Sequence, residues 1–434
     1  MGVETGLQWT LKTLYPDGVP EFLGWSDSPM LSMVKKRDDF GGKEWKWAAH
    51  HGQPQNRSAD ALTAFSGNRQ QVGKEFAITR VQNYSSYKIQ RETVMASKKV
   101  GSDSYVDDLK NGIDGSMNQF MLDTYYDLFL DGSGVRGRIA TSSGLSTTTV
   151  ANDTVTLADI TRAIYFEEGQ VYVFSSDSGA AVSTTSLRGS SATVALAIAA
   201  SSSDYAVVTK VNYITGVIQF DRDLTTITGA GGTVANGDYL YQNGDRGLKF
   251  KGLDSWCPSS DPSASDSFFG VNRSSNPVRL AGIRTSLVGG SIAEKVLDAI
   301  KVASIQGVNF PVMFMHPNRV QTITLELGAK QNLPVIDVKS YNMANVFFKG
   351  IVVHGHGRSV AVVSDRSCQL DVGWGFDPSK DFEIDSLGKV PEIITLNNGM
   401  MFQESDDAFR IRIGGYLQGR AATPKNIVRC NLAS

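Results

Sequence analysis

Ser104–Asp131 reads SYVDDLKNGIDGSMNQFMLDTYYDLFLD. Apolar residues recur at Tyr105, Leu109, Ile113, Met117, Phe120, Met121, Tyr125, Leu128 and Phe129. The steps are mostly three and four, so these side chains share one face of a helix and Asp, Lys and Asn take the other. Ser104 stands at the N-cap with Asp107 three residues on, a capping box in its Asp form. Asp103, Asp107 and Asp108 lie at the positive end of the helix dipole. Gly132, just past Asp131, is the stop signal. Gly112 and Gly115 each cost about 1 kcal/mol relative to alanine in a helix interior, so tertiary packing must hold the helix together. At about 1.5 Å per residue it is about 40 Å long, enough to span a domain and carry other elements on its back.

Upstream, residues 1–40 set short apolar pieces (Leu7, Trp9, Leu11, Leu14, Tyr15, Phe22, Leu23, Trp25) between turn signals at Pro16-Asp17-Gly18 and Ser28-Pro29. This is an extended arm with a short helix near Met30–Val34. Lys43–Ala49 and Lys74–Val81 alternate with period two and read as strands. Between them lies HHGQPQNRSADALTAFSGNRQQVG, a long polar tip of the kind kept in compact domains when it has a job. Trp45 and Trp47 share one side of this hairpin, which predicts that it reaches away from its own domain onto a neighbour. Tyr84–Ser97 is a further strand leading into the helix.

Downstream, 133–152 is rich in Gly, Ser and Thr and reads as a linker. TVTLADI, QVYVF, YAVVTKVNYITGVIQFD and DYLYQNGD are short β-patterned runs, with a hairpin turn at Thr215-Gly216. They predict a small all-β, barrel-like domain over 150–245, inserted into the parent domain. Residues 246–289 are a turn-rich connection. Ser291 caps a helix, with Glu294 completing the capping box. Val312–Met315 reads as a buried strand, Pro317–Leu327 as a helix, and Gly350–His354 and Ser359–Ser364 as strands around a His354–Gly357 turn. That makes 290–395 a compact α+β unit. Residues 396–434 supply return strands, including AFRIRIGGYLQG and Asn426–Leu432, as partners for the long helix.

Composition narrows the function. Net charge is −2 over 434 residues, so the whole molecule offers no nucleic-acid or membrane footprint, and no run approaches a membrane span. Cys257, Cys368 and Cys430 lie far apart without CxxC spacing, which argues against a disulfide framework or a zinc site. Gly67–Glu75 falls one residue out of phosphate-loop spacing and has Glu75 where Ser or Thr would hold magnesium. Gly355-His356-Gly357 lacks the third glycine of a dinucleotide loop. No GxSxG or HExxH occurs. His354 and His356, with His316 and Asp365, are the only metal-ligand combination worth weighing, and turn histidines are usually just solvated. Asp406-Asp407 diverge along a strand, which suits ion pairing better than acid–base catalysis. Arg410, Arg412, Arg273, Arg279 and Arg284 form a possible basic face, read as pairing with carboxylates of a neighbouring subunit. No catalytic residue and no cofactor is expected.

The order of parts resembles the major capsid protein of tailed bacteriophages, a shell fold shared with herpesviruses. RGLKFKGLDSWCP, FFGVNRSSNPVRLAG and FQESDDAFRIRIGGYLQGRAATPKNIVRCNL look like that family. The resemblance implies an α+β capsid fold: N-terminal arm 1–40, extended loop 41–82, peripheral domain 83–149 with spine helix 104–131, connection 246–289, axial domain 290–395 and return strands 396–434. The all-β domain at 150–245 departs from the minimal fold. The implied function is self-assembly, as hexamers and pentamers, into an icosahedral shell around packaged double-stranded DNA. It also implies a virion location after assembly in the host cytoplasm, with a separate scaffolding protein, a portal, decoration proteins and weak non-specific DNA contact as partners, and no membrane. Candidate intersubunit contacts are Trp9, Trp45, Trp47, Arg57, Arg69, Lys74, Arg410 and Arg412. Lys43, Lys46 and Lys74 lie in the loop that carries a crosslinking lysine in some relatives, but no asparagine partner is evident here. A virion receptor- or glycan-binding protein, or a metal-dependent enzyme, are the alternatives.

Overall fold

The structure, a computed structural model, describes residues 28–54, 56–67, 70–91, 108–146, 152–178, 186–188, 204–229, 231–285, 287–328, 336–337, 349–388, 390–393, 401–403 and 408–433. The arm upstream of Ser28, the Ser104 cap, Trp9 and Arg69 lie outside them. The long helix runs Asp108–Asp127. It stops short of Asp131 because residues 128–130 tighten into a turn, with Phe129 N–H bonded to Tyr126 O and Leu130 N–H to Asp127 O. Another segment docks on this end: Leu253 N–H donates to Leu128 O at 2.8 Å. Gly252 makes the approach feasible, since a Cβ there would lie 2.2 Å from Asp127 O.

The helix carries a six-stranded sheet on its back. Its principal strand, Ala408–Ala421, pairs antiparallel with Val81–Gln90 over ten positions, from Ala408↔Gln90 to Leu417↔Val81. Phe382–Ser386, Glu392–Ile393 and Met401–Gln403 also pair with it, and Lys35–Arg37 adds parallel to Phe382–Ser386. Odd-numbered residues of Val81–Gln90 turn toward the helix, as period two requires, and Asn83 there donates to Asp123 at 2.9 Å. Trp256, fully buried, anchors the centre of this unit against Phe76, Phe268 and Phe269, with its Nε1 donating to Gly419 O.

Between residues 135 and 242 the strands Val135–Arg138, Tyr239–Gln242, Val171–Ser175, Ala206–Asn212, Val217–Phe220, Thr154–Thr156 and Leu145–Ser146 are neighbours in that order. The ring closes where Ala140 N–H bonds Thr156 O and Ala158 N–H bonds Arg138 O. Phe166, Tyr172, Phe174, Ile218, Phe220 and Leu240 fill its interior. Two of these strands fall inside the 133–152 stretch that composition marks as a linker. Their Gly and Thr content reflects tight packing rather than slack: a Cβ on Gly137 would meet Leu157 and Phe166 at 2.9–3.1 Å.

A seven-stranded mixed sheet follows, in the order 283–284, 428–431, 372–376, 312–315, 358–364, 349–355, 336–337. The helices Ile292–Ile305 and Pro317–Gly328 pack with it, the first opened by the expected Ser291/Glu294 capping box. Here the expected grouping of return strands is corrected. Val428–Asn431 pairs antiparallel with Val372–Phe376 and parallel with Ile283–Arg284, so it joins this sheet and not the one on the long helix. Its alternate residues Val428 and Cys430 are fully buried there.

The long helix and the barrel meet through buried charges. Arg136 bonds Asp127 at 2.8 Å and also Asp123; Lys249 pairs with Asp123 and, at 3.0 Å, with Asp245. Lys249 also donates to Asn83 at 3.3 Å. Both connections to the barrel are thereby tied to the helix.

Candidate assembly surfaces

Glu44–Gly52 and Val72–Thr79 form the hairpin, in register from Glu44↔Thr79 to His50↔Gly73, with an irregularity before Gly52↔Val72. Alternation sends Trp45, Trp47, Phe76 and Ile78 to one face. That face lies on the chain's own body. Trp45 packs edge-on to Phe40 at 5.6 Å, under the Arg420 guanidinium at 4.8 Å. Trp47 stacks on Phe76, and Phe76 reaches Trp256. The reading that the two tryptophans reach away from their own domain is therefore corrected: the root of the hairpin is clamped, because aromatic area that large is stabilised wherever it first meets apolar surface. The opposite face carries the exposed Lys46–Glu75 pair at 3.0 Å.

Beyond His51 the hairpin leaves the body. Its tip is not uniformly polar. Ala61–Ser66 is a short helix, with Asp60 accepting from Thr63 N–H at 2.9 Å. Leu62 and Phe65, three apart on that helix, are 80% and 86% exposed. Arg57 is exposed nearby. The sequence signal was present, a D-x-x-T cap followed by L-x-x-F, but two apolar residues within a polar stretch do not stand out by composition.

A groove of about 610 Å³ runs beside the hairpin root, lined by Trp47–Gln53, Gln71, Arg279 and Ala422–Lys425. Arg279 reaches across it to His51 O at 2.5 Å. Burial pushes the His51 pKa down, and the charges of Lys74 and Arg279 push the same way. Arg410 and Arg412 are exposed on the helix-distal face of the long strand, opposite Lys88 and Ser86. Arg273 and Arg284 do not join them: Arg273 is buried on Asp266 at 2.9 Å, and Arg284 faces Asp261 at 3.4 Å. The expected basic face is thus dispersed.

His354 and His356 bracket a tight turn, with His356 at φ 53°. The buried His316 uses Nδ1 to accept from Asn318 N–H, and Asp365 accepts from Ser28 Oγ at 2.6 Å and Met30 N–H at 3.2 Å. Asp365 thus caps the Pro29–Met33 helix. Among the described residues no three His, Cys, Asp or Glu side chains gather as metal ligands, and no helix is long and apolar enough to cross a membrane.

No protein-family model matches the chain, and no curated protein matches it in sequence. Among solved structures, a chain of the cyanophage A-1(L) capsid asymmetric unit is similar over 99% of this chain and 99% of its own, with a TM-score of 0.54 and 12% identity. This is the phage capsid shell fold. A chain from the capsid of the native GTA particle aligns over 98% of this chain and 97% of its own, with a TM-score of 0.45 and 8% identity. One from Mycobacterium phage Ogopogo aligns over 96% of each, with a TM-score of 0.43 and 6% identity. In the capsid shell fold of this chain the long helix carries the sheet, the hairpin root packs on the same body, and the described residues of the hairpin tip are exposed.

Proposed function

We propose that the chain is a major capsid subunit that assembles with copies of itself, as hexamers and pentamers, into an icosahedral shell enclosing double-stranded DNA. The observation that carries this reading is the full-length fold match to a phage capsid chain, 99% of both partners. In this reading the Asp108–Asp127 helix is the spine, and residues 44–79 are the extended loop. The unit around the seven-stranded sheet is the axial domain, and the 135–242 barrel is an inserted domain. The loop lies across an adjacent subunit and uses its tip, since the tryptophans at its root already have partners. A scaffolding protein, a portal and decoration proteins complete the particle.

The test is expression alone and with the scaffolding partner, read by electron microscopy and sedimentation. Wild-type protein gives closed shells. A version lacking residues 53–71 gives folded subunits without shells. Wild-type protein that stays monomeric with and without scaffold removes the shell reading; normal shells from the deletion remove the role given to the tip.

A further inference from the structure

The Asn212–Gly216 turn of the barrel exposes apolar side chains. Ile214 is 88% exposed and Tyr213 52%. Ile160, half exposed, adjoins them: a Cβ on Gly216 would stand 3.0 Å from its Cα. The turn is well ordered. Asn212 Oδ1 accepts from Ile214 N–H and Thr215 N–H, each at 3.1 Å, and Asn212 O accepts from Gly216 N–H at 2.9 Å. Tyr213 Oη donates to Phe166 O at 3.2 Å, which brings Glu167 and Glu168 alongside. Burial raises the Tyr213 pKa, and the charges of these two carboxylates add to the rise. Among the described residues neither carboxylate has a cation within ion-pair distance, and Lys210, the nearest cation along the strand, stands opposite Gln219. Other exposed apolar points have their neighbouring carboxylates committed. Asp60, near Leu62 and Phe65, accepts from Thr63, and Glu326, next to Leu325, accepts from Ile292 N–H and Ala293 N–H at 3.1 and 3.0 Å. The barrel turn is thus an apolar knob with a free negative rim.

The groove at the hairpin root has the reverse character. Arg279 and Lys425 line it, no Asp or Glu does, and Lys74 stands beside it across the hairpin from Ala49. Among the described residues these three cations have no carboxylate within ion-pair distance, whereas the buried cations of the body are neutralised internally: Arg136 by Asp127, Arg188 by Asp238, Arg273 by Asp266 and Arg420 by Glu383. Trp47 and Pro424 add apolar wall. A second hollow, of about 500 Å³ beside the long helix, holds Asp38 together with Lys36 and Arg37, so its charge is mixed. The root groove, at about 610 Å³, has room for the end of a two-stranded turn, and no barrel residue lines it. The buried Arg136–Asp127 and Lys249–Asp245 pairs tie the barrel to its own helix and sheet, so its turn does not swing into its own groove. We infer that the 212–216 turn of one copy seats in the hairpin-root groove of the next, with Tyr213 and Ile214 on its apolar wall and Glu168 toward Lys425. Such a contact joins two different surfaces, so it closes into rings or extends into a lattice, and does not stop at a two-fold dimer. The inference gives the inserted barrel a role, and it rests on the shell reading for the identity of the partner.

Disulfide trapping in the full chain tests it. Cys257, Cys368 and Cys430 are all buried, so an introduced surface thiol is the one that reacts. Ile214→Cys and the exposed Thr423→Cys are made singly and together, and circular dichroism melts check that every variant folds. Oxidised with dissolved oxygen under assembly conditions, the double variant is expected to give a ladder of covalent multimers on a denaturing gel, while each single variant stays a monomer. A double variant that assembles without a ladder overturns this contact and leaves the shell reading standing. Protein, wild type included, that neither assembles nor ladders overturns both. Covalent dimer from Ile214→Cys alone makes the turn a like-with-like contact and overturns the groove as its seat. Charge exchange is the second arm. Glu168→Lys and Lys425→Glu, which spares the Arg279 bond to His51, are each expected to raise the protein concentration needed for assembly about tenfold, less so at high salt. Combined in one chain they recover assembly; a combined variant as impaired as its parents overturns the contact.

Discussion

Replacing Asp127 by asparagine should make this protein more stable above neutral pH, less so at pH 5, and leave it nearly unchanged near pH 4. Three carboxylates (Asp123, Asp127, Asp245) share a buried space with two cations, Arg136 and Lys249. Fully ionised, the cluster carries one uncompensated negative charge. Asp127 bears most of it. Burial pushes its pKa up and the Asp123 and Asp245 charges add to this, only partly offset by Arg136 and Lys249, so it stands at about 7. The sign follows from proton binding. Between about pH 4 and 7 the folded state holds a proton that the unfolded chain has released, so stability falls as pH rises through that window and levels off above it. Three pH units at about 1.4 kcal/mol each set a ceiling of about 4 kcal/mol, and relaxation of the cluster brings the expected gain to about 2 kcal/mol. Asparagine keeps an oxygen for Arg136 and removes the excess charge.

Asp123 runs the other way. Burial raises its pKa, but Arg136 and Lys249 outweigh burial and hold it at about 2. Its contribution is present above pH 4 and is lost on acidification from about 4 to 2, which lies below the window needed. Urea unfolding of wild type and Asp127→Asn at pH 5, 6, 7 and 8, on assembly-incompetent protein lacking residues 53–71, gives the difference directly. A variant less stable than wild type at pH 8, or a gain of equal size at every pH, refutes the charge count.

Leu62→Asp/Phe65→Asp should leave the subunit melt unchanged, since both side chains are exposed, and should weaken assembly about a hundredfold or more. Seating a leucine and a phenylalanine on a neighbour is worth about 1.5–3 kcal/mol each, and sedimentation at graded protein concentration reads the loss. Asp365→Ala should cost about 2 kcal/mol by stranding Ser28 Oγ and Met30 N–H. Limited proteolysis should then open the chain near residues 28–34, while protection of the Val428–Asn431 amides stays as in wild type.

The legible part of the fold is the local part. Period-two runs at 43–49 and 74–81 became the hairpin, S-x-x-E at Ser291 became a capping box, and Thr215-Gly216 became a turn with Gly216 at φ 67°. What stayed hidden depends on distant partners. Alternation says that Trp45 and Trp47 share a face with Phe76 but cannot say whose surface that face meets. Val428–Asn431 looks like any return strand, and only its neighbours at 283–284 and 372–376 place it in the other sheet. Asp123 and Asp127 sit on the helix where a solvated stripe is expected. Their burial becomes visible only when Arg136 and Lys249 arrive from both ends of a segment more than a hundred residues long.

Several exposed apolar residues bear on how a subunit of the proposed shell would meet its copies. Leu62 and Phe65 are on the hairpin tip, Tyr213 and Ile214 on a barrel turn, and Ile305 and Leu325 on the two helices beside the seven-stranded sheet. These are separate elements, and no one pair approaches the roughly 1,200 Å² that a stable two-body interface buries. One contact between two copies is therefore weak. A copy that enters a ring makes a contact on each side, and the second is formed at the high effective concentration set by the first. The cost of ordering is then met once while two contacts are gained, so closure is favoured over any open pair.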